Sequence, residues 1–428
     1  WHFAPDCTVA AEGLATASTD AGAGNVRIVP DGGTAWSVEL VRGREEPEIQ
    51  GWWSRKYNHK EPATCAVYTT DAAGPAVFAW LIMPAQGEAP KGVVTVLATD
   101  EASARVRVEL PGRAAQTFEV PEERLAIGID GYQALCESPD LDAVLLTAAP
   151  YFRPMQFEAA IKAGKHVFAE KPIAVDGWGC QKFLEVGKAA QEKQRVVGAG
   201  LQTRFDSARQ AIAERIQAGA IGKLLVGHST RMGGDLWRRK REPGYSERDY
   251  QVRNWLYYTW ACGDFITEMH IHNLDVFNWF TGLLPVSATA TAGRQARLDV
   301  GDIYDHIQVL YEYPDGFSLS HTGTQIQKGY EGSTKQIVGT EGYYDEKTGL
   351  VAKDGEKLTH ESIQETTEIE MRQFVEAILG ERPYMNQTEY VTTSTFTCIL
   401  GRMAAKAGRK VTWDEAWDSA ERLEPPTD

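Results

Sequence analysis

The stretch DAVLLTAAPYFRPMQFEAAIKAGKHVFAEKP, residues 142–172, decides how this chain is read. DAVLLTAAP (142–150) is a short apolar run stopped by proline, which suits a strand buried on both faces of a parallel sheet. Phe157, Ala160 and Ile161 then recur at helical spacing, and Gly164 is placed to end the helix. HVFAEKP reads as a second strand. Pro172 lacks an amide donor and forces a turn, so Glu170 and Lys171 fall at the carboxyl edge of the sheet, where open α/β folds bind ligands. A second crossover repeats the unit. Residues 178–193 have a helical pattern, and RVVGAGLQTRF (195–205) supplies a further strand whose end carries Gln202 and Arg204.

Upstream of this pattern the usual cofactor grip is missing. A complete dinucleotide fold opens with a strand, a GxGxxG turn and a helix, with an acidic ribose ligand about 20 residues on. The run Gly22-Ala23-Gly24-Asn25-Val26-Arg27 lacks the third glycine and follows a Thr/Ala/Ser/Asp stretch instead of an apolar strand. Gly198-Ala199-Gly200-Leu201-Gln202-Thr203 also lacks it and belongs to a strand already assigned.

Residues 1 to about 120 have a different character. VRIVP, WSVELV, ATCAVYTT, AVFAWLIMP, GVVTVLATD and ARVRVELPG are short alternating runs between Gly, Pro and Asp clusters, the pattern of an antiparallel sandwich. The opening WHFAPDC and the segment IQGWWSRKYNHKEPATCAVYTT resemble the C-terminal β-sandwich of heparinase II/III-like polysaccharide lyases. The α/α toroid of those lyases has no counterpart here, so lyase activity is not expected. His2, Tyr57 and His59 read as turn and rim residues rather than as a sugar-facing surface.

Composition sets outer bounds. The 428 residues are enough for two or three domains, and 44 basic against 59 acidic residues give a net charge of −15. That balance argues against a nucleic-acid groove or an anionic membrane surface. The sequence shows no apolar stretch of membrane-spanning length. Six cysteines without CxxC spacing indicate neither a zinc knuckle nor a disulfide framework. The expected compartment is the cytoplasm, although a chain that starts at Trp1 is also what removal of a signal peptide would leave.

Chemistry concentrates in GDFITEMHIHNLDVFNWF (263–280). Ile266, Met269, Phe277 and Phe280 fit a buried helical stripe, and Glu268 and His272 lie four apart on one face. A carboxylate beside an imidazole raises its basicity, as a general base acting on an alcohol requires. Lys171, arriving from the sheet edge, could stabilise a developing alkoxide while hydride leaves carbon. Glu268, His270, His272, Asp275 and His306 could instead ligate zinc or manganese. However, His270 and His272 point about 200° apart on a helix, so no metal is expected. Trp255, Tyr257, Tyr258 and Trp260 suit sugar stacking or packing, with packing preferred for at least half of them. Arg253, Asn254 and Asp275 are candidate substrate contacts.

From about Ile127 onward, GIDGYQALCESPDLDAVLLTAAPYFRPMQFEAAIKAGKHVFAEKPIAVD is similar to the second half of the nucleotide-binding domain in Gfo/Idh/MocA oxidoreductases. RNWLYYTWACGDFITEMHIHNLDVFNWFTG, GDIYDHIQVLYEYPDG and ILGRMAAKAGRKVTWDEA extend the resemblance over about 300 residues. It implies roles for Lys171 and His272 in hydride transfer, with Glu268 standing where many members carry aspartate. It also implies NAD or NADP as cofactor, contacted by Thr147, Ala149, Pro150, Glu170, Lys171, Pro172 and Arg204. A sugar or polyol substrate and a homo-oligomer built on an open sheet follow from the same resemblance.

The expected architecture is multidomain: an all-β sandwich segment (1–121), a partial α/β dinucleotide-binding half-domain (122–203), and an α+β substrate and oligomerisation domain with an open antiparallel sheet (204–428). IYDHIQVLYEY, PDG and FSLSHTG read as a hairpin of that sheet, followed by TKQIVGTEGYYD as a strand and turn. The leading functional expectation is an NAD(P)-linked sugar or polyol dehydrogenase. A carbohydrate-binding or structural fusion without redox activity is the alternative, motivated by the missing glycine loop.

Overall fold

The computed structural model describes residues 1–428 except 1–2, 4–6, 20–23, 33, 46–51, 57–58, 72–79, 87–90, 100–103, 111–115, 121–125, 127, 360–365 and 427–428. Two compact units are present, Trp1–Gly131 and Tyr132–Asp428. The boundary expected at 121/122 lies outside the described residues, as do His2 and Tyr57.

In the first unit every described strand pairing is antiparallel. One sheet runs β1 (Val9–Glu12), β2 (Ala15–Ser18), β3 (Gly24–Pro30) and β8 (Trp80–Gln86). A ribbon pairs β4 (Ser37–Arg42) with β7 (Thr64–Thr69), and a second pairs β5 (Trp52–Lys56) with β6 (His59–Pro62). A further sheet is ordered β11 (Gln116–Val120), β10 (Ala104–Glu109), β9 (Val93–Thr99). Phe3, Ile28 and Ala66 form a small core joined by Val26, Val38, Leu40, Tyr68 and Trp80, so strands of two sheets share it. Gly24 to Arg27, the tail of the first glycine run, lie within antiparallel β3 and make no phosphate turn.

The second unit opens with α1 (Gly131–Glu137 in full) and a parallel sheet ordered β12 (Ala143–Leu146), β13 (His166–Ala169), β14 (Val197–Ala199). The crossovers are α2 (Arg153–Lys162) and α3 (Gly177–Glu192). Phe157, Ala160 and Ile161 are buried as their spacing demands, and Gly164, at φ 78°, follows the helix. Asp176 caps α3 by accepting from the Gly179 amide at 2.8 Å. The run 195–205 is not one strand. β14 takes three residues of it, and a 3-10 turn, Gln202–Phe205, follows. Its glycines serve packing: a Cβ on Gly198 would meet Phe168, and one on Gly200 would meet the Glu170 carboxylate.

The expected division at 203/204 falls inside that 3-10 turn, and residues on both sides share one core. α4 (Ser207–Gln217), α5 (Glu247–Arg253), α6 (Thr259–Cys262), α7 (Phe265–Glu268), α8 (Ile271–Thr281), α9 (Thr366–Ile378), α10 (Thr388–Ala407) and α11 (Trp413–Trp417) accompany a nine-stranded sheet. Its strands are β15 (Leu224–Gly233), β16 (Ser287–Gly293), β17 (His306–Glu312), β18 (Ser318–Gln325), β19 (Gly332–Gly339), β20 (Tyr343–Asp345), β21 (Gly349–Val351), β22 (Lys357–Leu358) and β23 (Val411–Thr412). They are ordered β22-β21-β20-β19-β15-β18-β17-β16-β23. The hairpin β17–β18 turns through Pro314–Gly316 with Glu312 opposite Ser318. Strict alternation buries Ile307, Val309, Tyr311 and Leu319 and leaves Leu310 and Gln308 outward.

Candidate active site

The site is built where β13 ends. After Ala169 the chain passes Glu170 and Lys171 and turns through a cis bond to Pro172. Arg153, in the first turn of α2 and only 2% exposed, donates to the Pro172 carbonyl and holds that turn from below. Burial pushes its guanidinium down to about 10, and the charges of Glu268 and Glu170 oppose that shift.

Lys171 points across to the second half of the unit. Its Nζ donates to the Glu268 carbonyl at 2.7 Å and to Oε1 of the same residue at 2.8 Å. Glu268 is 6% exposed, and burial pushes its carboxyl up while the Lys171 and Arg153 charges pull it back. An ammonium has three donors, so one remains for a ligand oxygen.

Residues 263–280 do not form one helix, as the spacing had suggested. α7 ends at Glu268 and α8 begins at Ile271. Asp264 sets this geometry from a strained backbone, φ 79° and ψ 160°. Its carbonyl accepts from the Thr267 and Glu268 amides at 3.0 Å, and its carboxylate accepts from Phe265 N at 2.7 Å and Tyr304 N at 3.0 Å. At the break His270 turns inward. Its Nδ1 lies 2.9 Å from His321 Nε2, and His321 Nδ1 lies 2.9 Å from Ser229 Oγ.

Glu268 therefore serves Lys171 and is not the partner expected for His272. His272 is half-buried and makes no side-chain hydrogen bond among the described residues. Its imidazole is held well below the usual range, first by burial and then by the charges of Lys171, Arg231 and Lys335. It is neutral and able to accept a proton.

Several expected contacts are used internally. Arg204 donates to Asp275 through Nε at 3.0 and 3.1 Å and through Nη2 at 2.8 Å, and Ser394 Oγ adds a bond of 2.6 Å. Asp275 has a side chain 1% exposed, so it is a structural anchor and not a substrate contact; Arg204, stacked 4.1 Å over Tyr390, is committed to it. Asn254 is fully buried and clamps the Arg239 backbone through bonds of 2.8 and 3.1 Å. Arg253 is exposed and stacks on Tyr245. Tyr257 and Trp260 are buried packing residues. Thr147 is exposed just beyond β12, followed by Ala149 and Pro150, both buried. No group of three or more metal-type ligands occurs among the described residues, nor any helix long and apolar enough to cross a membrane.

The parallel strand ends, with Thr147 exposed and Lys171 beside a neutral imidazole, fit the reactive end of a nicotinamide cofactor. A glycine-rich phosphate turn has no counterpart among the described residues. Sequence reading missed Arg153, Arg231 and Lys335. The last two were detectable, because period-2 alternation puts Arg231 on the face of buried Ser229 and Lys335 on that of buried Ile337.

Comparison with known proteins gives this geometry a lineage. A family described as oxidoreductase family, NAD-binding Rossmann fold, matches residues 80–201, and the GFO/IDH/MocA C-terminal domain matches residues 209–345. Both matched stretches are similar to domains of the Gfo/Idh/MocA family. The first match reaches upstream of the expected boundary at 122, into a range where the described strands β8 to β11 pair antiparallel; parallel pairing within it begins at β12. Inositol 2-dehydrogenase of Ralstonia nicotianae is 31% identical over 201 residues, 46% of this chain and 52% of that protein. Inositol 2-dehydrogenase of Acidothermus cellulolyticus is 30% identical over 177 residues, 41% of this chain and 46% of that protein. The chain thus spans about half the length of these curated relatives. Scyllo-inositol dehydrogenase from Lactobacillus casei, solved with NAD(H) and scyllo-inositol, shares the fold at a TM-score of 0.50 and 20% identity, covering 66% of this chain and 83% of that one.

Proposed function

We propose that the chain transfers hydride between NAD or NADP and a hydroxyl-bearing carbon of a sugar or polyol. The observation that carries this reading is Lys171, fixed by Glu268 at the carboxyl edge of the parallel sheet within electrostatic reach of neutral His272. In the oxidative direction His272 takes the hydroxyl proton, and the free donor of Lys171 stabilises the oxygen as the carbonyl forms. When bound, the dinucleotide supplies the hydride acceptor. Arg153 positions the turn that carries Lys171, and Asp264 positions Glu268. Titrating NAD(H) and NADP(H) against the full chain, then assaying inositols and hexoses for NAD(P)-linked turnover, tests the reading; no binding at millimolar cofactor would sink it.

We read residues 1–121 as a sandwich segment similar to the heparinase II/III-like tail, 122–203 as a partial cofactor domain and 204–428 as the substrate domain. The antiparallel pairing of β8 to β11, within the range matched by the NAD-binding family, favours a second reading in which the chain binds carbohydrate without redox activity. That reading requires glycan affinity that survives K171A and H272A. The outward face of the nine-stranded sheet carries the uncharged Val226, Gln308, Leu310, Ser320 and Thr322, with Glu312 on the same face neutralised by Lys410, which supports self-association through it.

A further inference from the structure

The inner face of the nine-stranded sheet carries cations where a half-buried strand should carry apolar groups. In the β15–β19 pairing Ser229 faces Lys335 and Arg231 faces Ser333, so these four side chains form one patch. The first turn of α8 lies over it. Asn273 Nδ2 donates to Ser229 Oγ at 3.4 Å and to Ser333 Oγ at 3.2 Å, and its Oδ1 accepts from Arg231 Nη1 at 3.4 Å. His272 is the residue before Asn273, and Lys171 reaches the same region from the other half of the unit.

Lys335 has an 11% exposed side chain and contacts Glu346 at 3.1 Å. That carboxylate is also held by Arg209 at 2.7 Å and by the Tyr344 hydroxyl at 2.9 Å. Lys335 can therefore leave Glu346 without orphaning it. A neutral polyol offers this patch only hydroxyls, whereas an anion beside His272 would offset the charges of Lys171, Arg231 and Lys335 at once.

We infer that the substrate carries an anionic group, a carboxylate or a phosphate, and that Arg231 and Lys335 receive it next to His272. This rests on the oxidoreductase reading and names its substrate class. It also gives His272 its basicity: an anion among the cations that now hold the imidazole low would raise its proton affinity as the substrate arrives.

The test is a calorimetric panel on the full chain, with and without NADH: glucose, galactose and myo-inositol as neutral ligands, glucuronate and galacturonate as carboxylates, and glucose-6-phosphate as the phosphate. At least one anion should bind about tenfold tighter than its neutral counterpart, a preference that falls with added salt. R231M and K335M should each remove most of it. Equal affinity for charged and neutral members, absence of binding by every anion, or a preference intact in both variants overturns the inference. Anion preference without NADH binding or NAD reduction would sink the oxidoreductase reading alone, whereas turnover confined to neutral polyols would sink only this one.

Discussion

Lys171 is held by both the carbonyl and the carboxylate of one residue, and this makes its replacement readable. K171M should lower kcat/KM by about 10²–10³, as expected for losing a donor aimed at developing negative charge, and H272N by at least about 10². Because burial already pushes the Glu268 carboxyl up, K171M leaves a group that can take a proton. Its cost in urea unfolding should therefore stay below the roughly 3–5 kcal/mol typical of an orphaned buried ion. D275A is the contrasting case. It strips Arg204 of a bidentate partner, so about 3–5 kcal/mol should be lost in the same measurement while KM of the folded fraction is unchanged. Both residues were legible as chemistry-bearing. What the sequence could not tell was which of them faces ligand, because a carboxylate four residues from an imidazole says nothing about a lysine 97 positions away.

The break between α7 and α8 is the device that separates two uses of one segment. Glu268 stays with Lys171 on one side, while His270 turns into the core against Phe265 and His321 on the other. Gly323 on β18 leaves the room for that imidazole, and a Cβ there would overlap it. G323A should cost about 1–3 kcal/mol in thermal or urea unfolding, with no rescue from added substrate. On the opposite face of the same sheet, L310E places a second carboxylate two residues from Glu312, among Val226, Gln308, Ser320 and Thr322. If copies associate there, sedimentation velocity should show the assembly lost in L310E with the circular dichroism unchanged. The alternation that locates Leu310 was readable in IYDHIQVLYEY, as were α2 and α3 from their 3.6-residue periodicity. The helix break was not, because apolar spacing continues through Met269 and His270 while a positive-φ Asp264 and a partner histidine on β18 decide the path.

Protons bound differently by folded and unfolded chains set how the stability of residues 132–428 follows pH. His270 and His321 are buried and His272 half-buried; all three imidazoles are held low, His321 down to about 3, so they are neutral when folded and charged when unfolded below about 6.5. Lowered imidazoles contribute stability above the unfolded value that is lost as pH falls. Asp264 and Glu370 go the other way. Burial raises Asp264 to about 7, and burial with the Glu170 charge raises Glu370 to about 8. Raised carboxyls contribute stability below their unfolded values that is lost as pH climbs through the folded ones. Between about 4.5 and 6.5 the three imidazoles outweigh the two carboxyls by one group, so unfolding free energy should rise with pH there, by on the order of 1.4 kcal/mol per unit. It should fall below about 4.5 through the histidines, and again from about 6.5 to 8 through the two carboxyls, by on the order of 1.4 kcal/mol per pH unit for each titrating group. Glu370 Oε1 is sealed without a hydrogen-bond partner among the described residues, so an amide can replace the acid with little loss. Urea unfolding of E370Q across pH 3–9 should then show a shallower alkaline limb than the parent and an unchanged acid limb below about 4.5. An alkaline limb identical in both proteins would mean that Glu370 is ionised in the folded chain.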